Sequence, residues 1–205
     1  VALARALAPR PAVLLMDEPF SGLDSRLKDS VRAEALAVLR QSRATAVVVT
    51  HDAEEAMRMA DRIALLKDGK LVQVGTAEEL FRHPVDLFAA GFFSELNLFD
   101  AVAKGGQAVT IIGSVKAQFP DDTPVSVAVR VGAIEASVLA GDLQARVTAR
   151  RFLGDFDLME FAIPGGDVPV RAKIRCGILP ASAKEVFLNF RKSDVLVFER
   201  LASNV

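Results

Sequence analysis

Two short apolar runs, separated by a stretch with helical periodicity, constrain the fold of this chain more than any other feature. Residues 12–16 read AlaValLeuLeuMet and residues 46–50 read AlaValValValThr, so each run suits a buried strand. Between them, apolar residues recur at helical spacing: Leu27, Val31, Ala35, Val38 and Leu39. A strand, a helix and a second strand in one sheet form a right-handed parallel crossover. The pattern predicts a parallel α/β sheet with helices, its strands buried on both faces.

Polar residues that suit phosphate chemistry follow both runs. Asp17 and Glu18 follow the first run and His51 follows the second, and open parallel sheets bind their ligands at such strand ends. A nucleotide site needs one carboxylate for Mg²⁺, which Asp17 suits, and another group to orient a water, which Glu18 suits. A neutral imidazole at His51 can donate to a γ-phosphate. Taken alone, the acidic pair is also explained by solvation of a strand end, and His51 by a structural role.

Local signals extend the first domain beyond these strands. Asp52 and Glu55 form an acidic variant of the capping box and predict a short helix. The dipeptide at residues 68–69, Asp-Gly, predicts a β-hairpin, because glycine tolerates positive φ. Thr76 with Glu79 predicts the capped start of another helix.

Past about residue 97 the sequence changes to short β runs separated by turn residues. Residues 156–163 and 168–174 predict a hairpin, and residues 186–190 and 195–198 predict closing strands. For a region of this length, we expect a small all-β barrel of the oligomer-binding type.

Charge and cysteine content exclude several kinds of site. The chain has 25 Lys and Arg residues against 26 Asp and Glu residues, and no basic stripe of the kind that binds nucleic acid is evident. One cysteine permits no internal disulfide, and one cysteine with two histidines cannot complete a zinc site without carboxylates. The apolar stretches are far shorter than the roughly 18 residues of a membrane span.

The sequence at residues 1–8 has a helical pattern that is already under way at the first residue. We therefore expect this chain to be part of a longer protein.

Three motifs on successive strand ends carry a family resemblance. Residues 14–24 read LeuLeuMetAspGluProPheSerGlyLeuAsp, and residues 47–52 read ValValValThrHisAsp and precede GluGluAla. Together they closely resemble the second half of the ATP-binding subunits of ABC transporters. Residues 1–8 resemble the helix that follows the signature sequence of this family.

The resemblance implies a role for each matched position. Asp17 would be the Walker B aspartate, which holds Mg²⁺ through water, and Glu18 the catalytic carboxylate that polarises the attacking water. His51 would be the switch histidine on the γ-phosphate of ATP. The D-loop, which in this family crosses to the partner subunit, would comprise Ser21, Gly22, Leu23 and Asp24. These positions imply ATP and Mg²⁺ as cofactors.

The sequence also departs from the family pattern. No GxxxxGK(S/T) phosphate-binding loop, glutamine-containing loop or signature sequence occurs in it. We therefore expect that this chain alone neither binds ATP tightly nor hydrolyses it. The alternative hypothesis is a non-catalytic, truncated chain that acts as a regulatory or dimerisation module through its β domain. A third hypothesis is an ABC-type ATPase of DNA repair or translation, or another P-loop ATPase with an AspGluPro motif, which the C-terminal barrel and the absence of basic patches disfavour.

The resemblance divides the chain into residues 1–93, the C-terminal portion of an ABC ATPase domain, and residues 94–205, a β-barrel regulatory domain. The second part resembles the extension of importer subunits that serve oxyanions, polyamines, sugars or ferric iron, although Val131-Gly132 stands where that family often has Pro-Glu. Residues 92–115 resemble ferric-iron importers. The implied partners are a second copy of the subunit, a transmembrane permease and, indirectly, an extracytoplasmic solute-binding protein, but no nucleic acid. The implied location is the cytoplasm, peripheral on the inner face of a bacterial membrane.

Overall fold

The protein, in a computed structural model, is described for residues 2–42 and 44–200. It is mostly β, with barrel-like sheets and few helices, and it divides into two compact units, Val1–His83 and Pro84–Val205. The domain boundary expected from the sequence, after residue 93, lies ten residues beyond this division, at the end of helix α5 (Leu87–Phe93). None of the helices within the described residues is long and apolar enough to cross a membrane.

The first unit contains a parallel pair of strands and an antiparallel hairpin. Its elements are α1 (Ala2–Leu7), β1 (Val13–Asp17), α2 (Ser25–Ser42), β2 (Thr45–Val49), α3 (Ala53–Met59), β3 (Ile63–Lys67), β4 (Lys70–Gly75) and α4 (Ala77–Arg82). Strands β1 and β2 pair in parallel, with Leu15 opposite Val47, and α2 connects them. The predicted order of strand, helix and parallel strand is therefore confirmed.

The expectation that β1 and β2 are buried on both faces is wrong for the described residues. Leu14 is buried, but the alternate side chains of β1 and β2 are exposed by 49–74%: Val13, Leu15, Val47 and Val49. Side chains alternate between the two faces of a strand, so these four share one face of the sheet. The reason is that the sheet has only two strands among the described residues, and nothing described shields that face.

The predictions for the Asp68-Gly69 hairpin and for the start of helix α4 are confirmed. Asp68 and Gly69 have φ values of 50° and 72°, the consecutive positive values of a type I′ hairpin between β3 and β4. Helix α4 begins with a complete capping box, in which the Thr76 hydroxyl accepts from the Glu79 amide and the Glu79 carboxylate accepts from the Thr76 amide.

After α5, the second unit is built from antiparallel strands. Its strands are β5 (Leu96–Lys104), β6 (Gln107–Thr110), β7 (Gly113–Lys116), β8 (Pro124–Arg130), β9 (Ile134–Ser137), β10 (Leu143–Phe152), β11 (Phe156–Ala162), β12 (Val170–Arg175), β13 (Glu185–Phe190) and β14 (Val195–Glu199). Single turns of 3-10 helix occur at Val131–Ala133 and Lys192–Asp194. The predicted β runs are confirmed.

These strands form two five-stranded sheets, in the orders β12-β11-β10-β13-β9 and β14-β8-β5-β6-β7. In the first sheet the end strands β12 and β9 also contact each other, so the sheet curls into a barrel-like form. Alternate residues of β11 point into its core, where Met159 and Phe161 are fully buried. The second sheet encloses a smaller core around Val125 and Val127.

Candidate functional site

The carboxyl ends of β1 and β2 bring the candidate site residues to one edge of the parallel pair. Asp17 is the exposed last residue of β1 and lies opposite Val49, the last residue of β2. The Glu18 amide extends the ladder by donating to the Val49 carbonyl at 2.9 Å. His51 follows β2 by two residues, so Asp17, Glu18 and His51 leave neighbouring strand ends.

The closest side-chain contact at this edge joins His51 to Glu18. His51 Nδ1 lies 2.7 Å from Glu18 Oε1, and the two side chains are 76% and 44% exposed. When Glu18 is ionised, this contact requires the proton on Nδ1, because a carboxylate only accepts hydrogen bonds. That bond uses the only N–H of a neutral ring. Donation from His51 to a phosphate therefore requires either the imidazolium form or release of Glu18.

The backbone of Glu18 adopts the left-handed region, with φ of 42°. Strand β1 ends at Asp17, and Glu18 does not continue its extended backbone. The chain turns here because the Glu18 carbonyl accepts from both the amide and the hydroxyl of Ser21, at 3.2 and 3.0 Å. A non-glycine residue in this region costs on the order of 1 kcal/mol, and such strain is concentrated at functional sites.

Asp52, directly after His51, connects helix α3 to helix α2. Its Oδ1 accepts from the amides of Glu54 and Glu55 at 3.0 and 3.1 Å, which caps α3. Its Oδ2 lies 2.8 Å from Lys28 Nζ and 2.9 Å from Arg32 Nη2, both on α2. The hydrogen bond from Lys28, the cap and the two positive charges hold the pKa of Asp52 well below its usual range.

The predicted capping box at Asp52 is only half formed. The Glu55 carboxylate faces Arg32 at 3.3 Å instead of returning to the Asp52 amide, which donates to Thr50 Oγ1 at 3.1 Å. Arg32 and Glu55 are 6% and 3% exposed, so an ion pair has displaced the second half of the box. Sequence reasoning missed Lys28 and Arg32, although their spacing of four residues places them on one face of α2.

These side chains line a small cleft of about 70 Å³ beside the Glu18–His51 contact. Its walls contain both signs of charge: Glu18, Ser21, Lys28, Thr50, His51, Asp52 and Glu55. Among the residues that the structure describes, no group of three or more His, Cys, Asp or Glu side chains is arranged to hold a metal ion. The cleft is thus a polar site at the strand ends that contains no complete metal centre of its own.

Comparison with known proteins identifies the relatives of this chain. It is 43% identical to the putrescine transport ATP-binding protein PotG of Escherichia coli over 141 residues, which cover 63% of this chain and 37% of PotG. It is 34% identical to the Fe(3+) ions import ATP-binding protein FbpC of Streptomyces coelicolor over 200 residues, which cover 96% of this chain and 57% of FbpC. The chain is homologous to the C-terminal part of ABC importer ATP-binding subunits.

The chain spans between about a third and a little over half of the length of these two relatives, 37% and 57%. No protein-family model matches it. Among solved structures, a cytoplasmic molybdate-binding protein, ModG, with molybdate bound aligns with 52% of this chain and 97% of its own, at 13% identity and a TM-score of 0.40.

The residues that resemble the ABC transporter D-loop form the exposed turn between Glu18 and α2. Ser21, Gly22, Leu23 and Asp24 are all exposed, Leu23 by 37%. A Cβ atom added at Gly22 would meet nothing within 4 Å. The turn ends where the Lys28 amide donates to the Asp24 carbonyl at 2.9 Å and closes the first turn of α2. This segment is therefore accessible.

Asp17 has the chemistry that an ABC-type Mg²⁺ site requires. Mg²⁺ keeps several waters and binds through one or two carboxylates together with substrate phosphates. A single exposed carboxylate at the end of β1 fits that requirement, whereas a site that encloses the metal in protein ligands would need more donors. The residues present fit a Mg²⁺ ion that accompanies a nucleotide.

Proposed function

We propose that residues 1–93 are the C-terminal portion of an ATPase domain in an ABC importer ATP-binding subunit and carry half of its ATP site. The observation that carries this proposal is the 2.7 Å contact between His51 and Glu18, at the carboxyl ends of two parallel strands. Ligands of open parallel sheets bind at that edge. Homology to importer ATP-binding subunits supports the same assignment.

The open face of β1 and β2 supports a P-loop-type α/β fold for this portion. Parallel sheets are normally covered on both faces, yet Leu15 is 74% exposed and Val49 57%. We assign this face to the interior of a complete ATPase domain, in which further elements cover it. The phosphate-binding loop and signature sequence, which this chain lacks, would lie in the rest of that domain.

Each site residue then has a definite task. Asp17 would hold Mg²⁺ through water, and the ion would neutralise charge on the phosphates. On nucleotide binding, His51 would leave Glu18 and donate an N–H to the γ-phosphate of ATP. Glu18, freed from His51, would accept a hydrogen bond from the attacking water and orient it in line with the phosphorus.

The exposed turn and the β domain would serve the assembly of an importer. In an ABC importer the exposed turn of residues 21–24 would contact a second copy of the subunit, and two ATP molecules would lie between the copies. The two copies would bind a transmembrane permease at the cytoplasmic face of the membrane, and their closure on ATP would change the conformation of that permease. An extracytoplasmic solute-binding protein would be an indirect partner, because it would deliver the solute to the permease. The β domain of residues 94–205 would be an oligomer-binding-type regulatory barrel.

Ferric iron is the solute that we propose to test first. The Streptomyces coelicolor relative that matches 96% of this chain is named for Fe(3+) import. Other relatives are named for putrescine, spermidine or sulfate transport. Complementation of bacteria that lack an Fe(3+), a polyamine or a sulfate importing subunit distinguishes these solutes when the complementing protein is that subunit with its C-terminal part replaced by this chain.

A chimaera tests the ATPase proposal directly. The C-terminal part of the Escherichia coli putrescine subunit is replaced by this chain, and Mg²⁺-dependent ATP turnover is measured with the permease present. We expect turnover in the chimaera and none in the isolated chain. Glu18→Gln and His51→Ala should each lower kcat about 100-fold or more. Glu34→Gln, an exposed carboxylate on α2, is the matched control.

An active chimaera that is insensitive to Glu18→Gln and His51→Ala would refute the assignment of these residues. ATP hydrolysis by the isolated chain would refute the proposal that it carries only half of a site.

A further inference from the structure

We propose that Lys28 and Arg32, two cations of helix α2, are positioning residues for His51. They hold Asp52, and Asp52 fixes the turn that presents the imidazole to Glu18. The inference rests on the proposed role of His51 and adds to it the residues that keep the ring in place.

Both neighbours of His51 are held by several contacts, whereas the exposed ring has its described hydrogen bond to Glu18. Asp52 is fixed by its cap on α3 and by Lys28 and Arg32 at 2.8 and 2.9 Å. Thr50 is tied to Asp52, since its hydroxyl accepts from the Asp52 amide at 3.1 Å. The His51 side chain is 76% exposed and thus has little packing of its own. Its position depends mainly on the backbone on either side.

Charged side chains hold the turn that carries His51, and two of them are buried. Arg32 and Glu55 are almost fully buried, and Arg32 Nε and Glu55 Oε1 have no hydrogen-bond partner among the residues that the structure describes. Replacing a buried ion pair by apolar residues of similar volume is often neutral or stabilising. Stability alone therefore does not account for this cluster. The cations of this cluster also fix the position of one particular carboxylate, because Lys28 and Arg32 hold Asp52 against α2.

The exposed turn of residues 21–24 leads directly into the same helix, α2. The Lys28 amide closes the first turn of α2 on the Asp24 carbonyl, while Lys28 Nζ contacts Asp52. Lys28 also lines the cleft that contains Glu18 and His51. One residue thus connects the start of α2, which would face a partner subunit, to the turn that carries the imidazole.

The ring tautomer of His51 provides a test that needs no nucleotide. The chain has only two histidines, His51 and His83, so ¹⁵N NMR of the rings gives two sets of signals, which His83→Gln assigns. At a pH where both rings are neutral, the contact with Glu18 favours the Nδ1–H tautomer of His51. The spectrum of the Glu18→Gln variant is the reference for a His51 ring without the Glu18 carboxylate.

Lys28→Met decides the role of Lys28. We expect the His51 tautomer ratio to move most of the way to that of the Glu18→Gln variant, with His83 unchanged. Lys70→Met removes the same charge from an exposed site on β4 and should leave His51 unchanged. If His51 keeps the Nδ1–H tautomer in Lys28→Met, the proposal fails, even where the unfolding temperature falls.

Arg32 needs a variant that folds without it. Arg32→Met alone would leave Glu55 buried without a partner, so Arg32→Met/Glu55→Leu replaces both with apolar groups. We expect the same loss of the Nδ1–H tautomer, and Arg32→Lys should retain most of it. An unchanged tautomer in the folded double variant would overturn the role of Arg32. These outcomes are independent of the chimaera, whose inactivity would contradict only the proposed ATPase function.

Discussion

The side chain of Asn97 pairs with both main-chain polar groups of Arg171. Asn97 Nδ2 donates to the Arg171 carbonyl at 2.9 Å, and Asn97 Oδ1 accepts from the Arg171 amide at 2.7 Å. Asn97 lies on β5 in one sheet and Arg171 on β12, an end strand of the other. The Asn97 side chain therefore makes the two hydrogen bonds with Arg171 that the backbone of a neighbouring strand would otherwise make. These bonds connect the two sheets.

Asn97→Ala should destabilise the second unit by about 2 kcal/mol, because Asn97 is buried and its loss leaves the Arg171 amide and carbonyl without these partners. Chemical denaturation followed by circular dichroism measures the change. Asn189→Ala is the matched control, since the Asn189 side chain accepts from the Asp142 amide at an exposed position. Equal losses in the two variants would contradict the bridging role of Asn97.

Arg150→Met should destabilise the same unit by about 3 kcal/mol, because it leaves the buried Asp157 carboxylate without its counter-ion. Asp157 is 3% exposed, and Arg150 Nε lies 2.9 Å from its Oδ2. Arg150 also donates to the Pro180 carbonyl at 3.2 Å. Arg151→Met, an exposed neighbour, removes the same charge and serves as the control. Similar unfolding free energies for the two variants would show that the Asp157 pair contributes little.

Features that depend on a few consecutive residues could be predicted from the sequence. The Asp68-Gly69 hairpin and the Thr76–Glu79 capping box are determined by positive φ and by short hydrogen bonds between near neighbours. The parallel pairing of β1 and β2 followed from two apolar runs separated by one helical stretch. The convergence of Asp17 and His51 at one edge follows from that pairing.

Features that depend on contacts between distant residues could not be predicted. Glu55 faces Arg32, 23 positions away, and this long-range ion pair displaces the local capping box. The left-handed backbone of Glu18 results from its bonds to Ser21 and Val49, although nothing in the residue type favours it. The exposure of Leu15 depends on which other helices or strands cover its face of the sheet. The composition of the strand alone does not predict whether that face is covered.

Asp52→Asn should reduce the stability of the first unit at neutral pH, with a difference that shrinks in acid. The pKa of Asp52 is depressed in the folded state, chiefly by the hydrogen bond from Lys28. A carboxyl with a depressed pKa contributes stability above its unfolded pKa, near 3.8, and loses it as the pH falls towards the folded value. Asparagine caps a helix as well as aspartate does, so this variant isolates the charge.

Urea unfolding at several pH values between neutrality and strong acid measures this difference. Asp68→Asn is the control, because Asp68 lies in an exposed hairpin turn that asparagine also suits. A difference between wild type and Asp52→Asn that does not change with pH would contradict the assignment to Asp52.

Glu18→Asn should raise the unfolding free energy of the isolated chain by about 0.5–1 kcal/mol while it removes the contact with His51. Asparagine tolerates the left-handed region, in which Glu18 has φ of 42°, better than glutamate does. Glu18→Gln keeps the same backbone preference and should change stability little, and the β-branched Glu18→Val should lower it. Thermal unfolding of the three variants tests this order. If Glu18→Asn is no more stable than Glu18→Gln, the backbone at Glu18 stores no strain that the site could use.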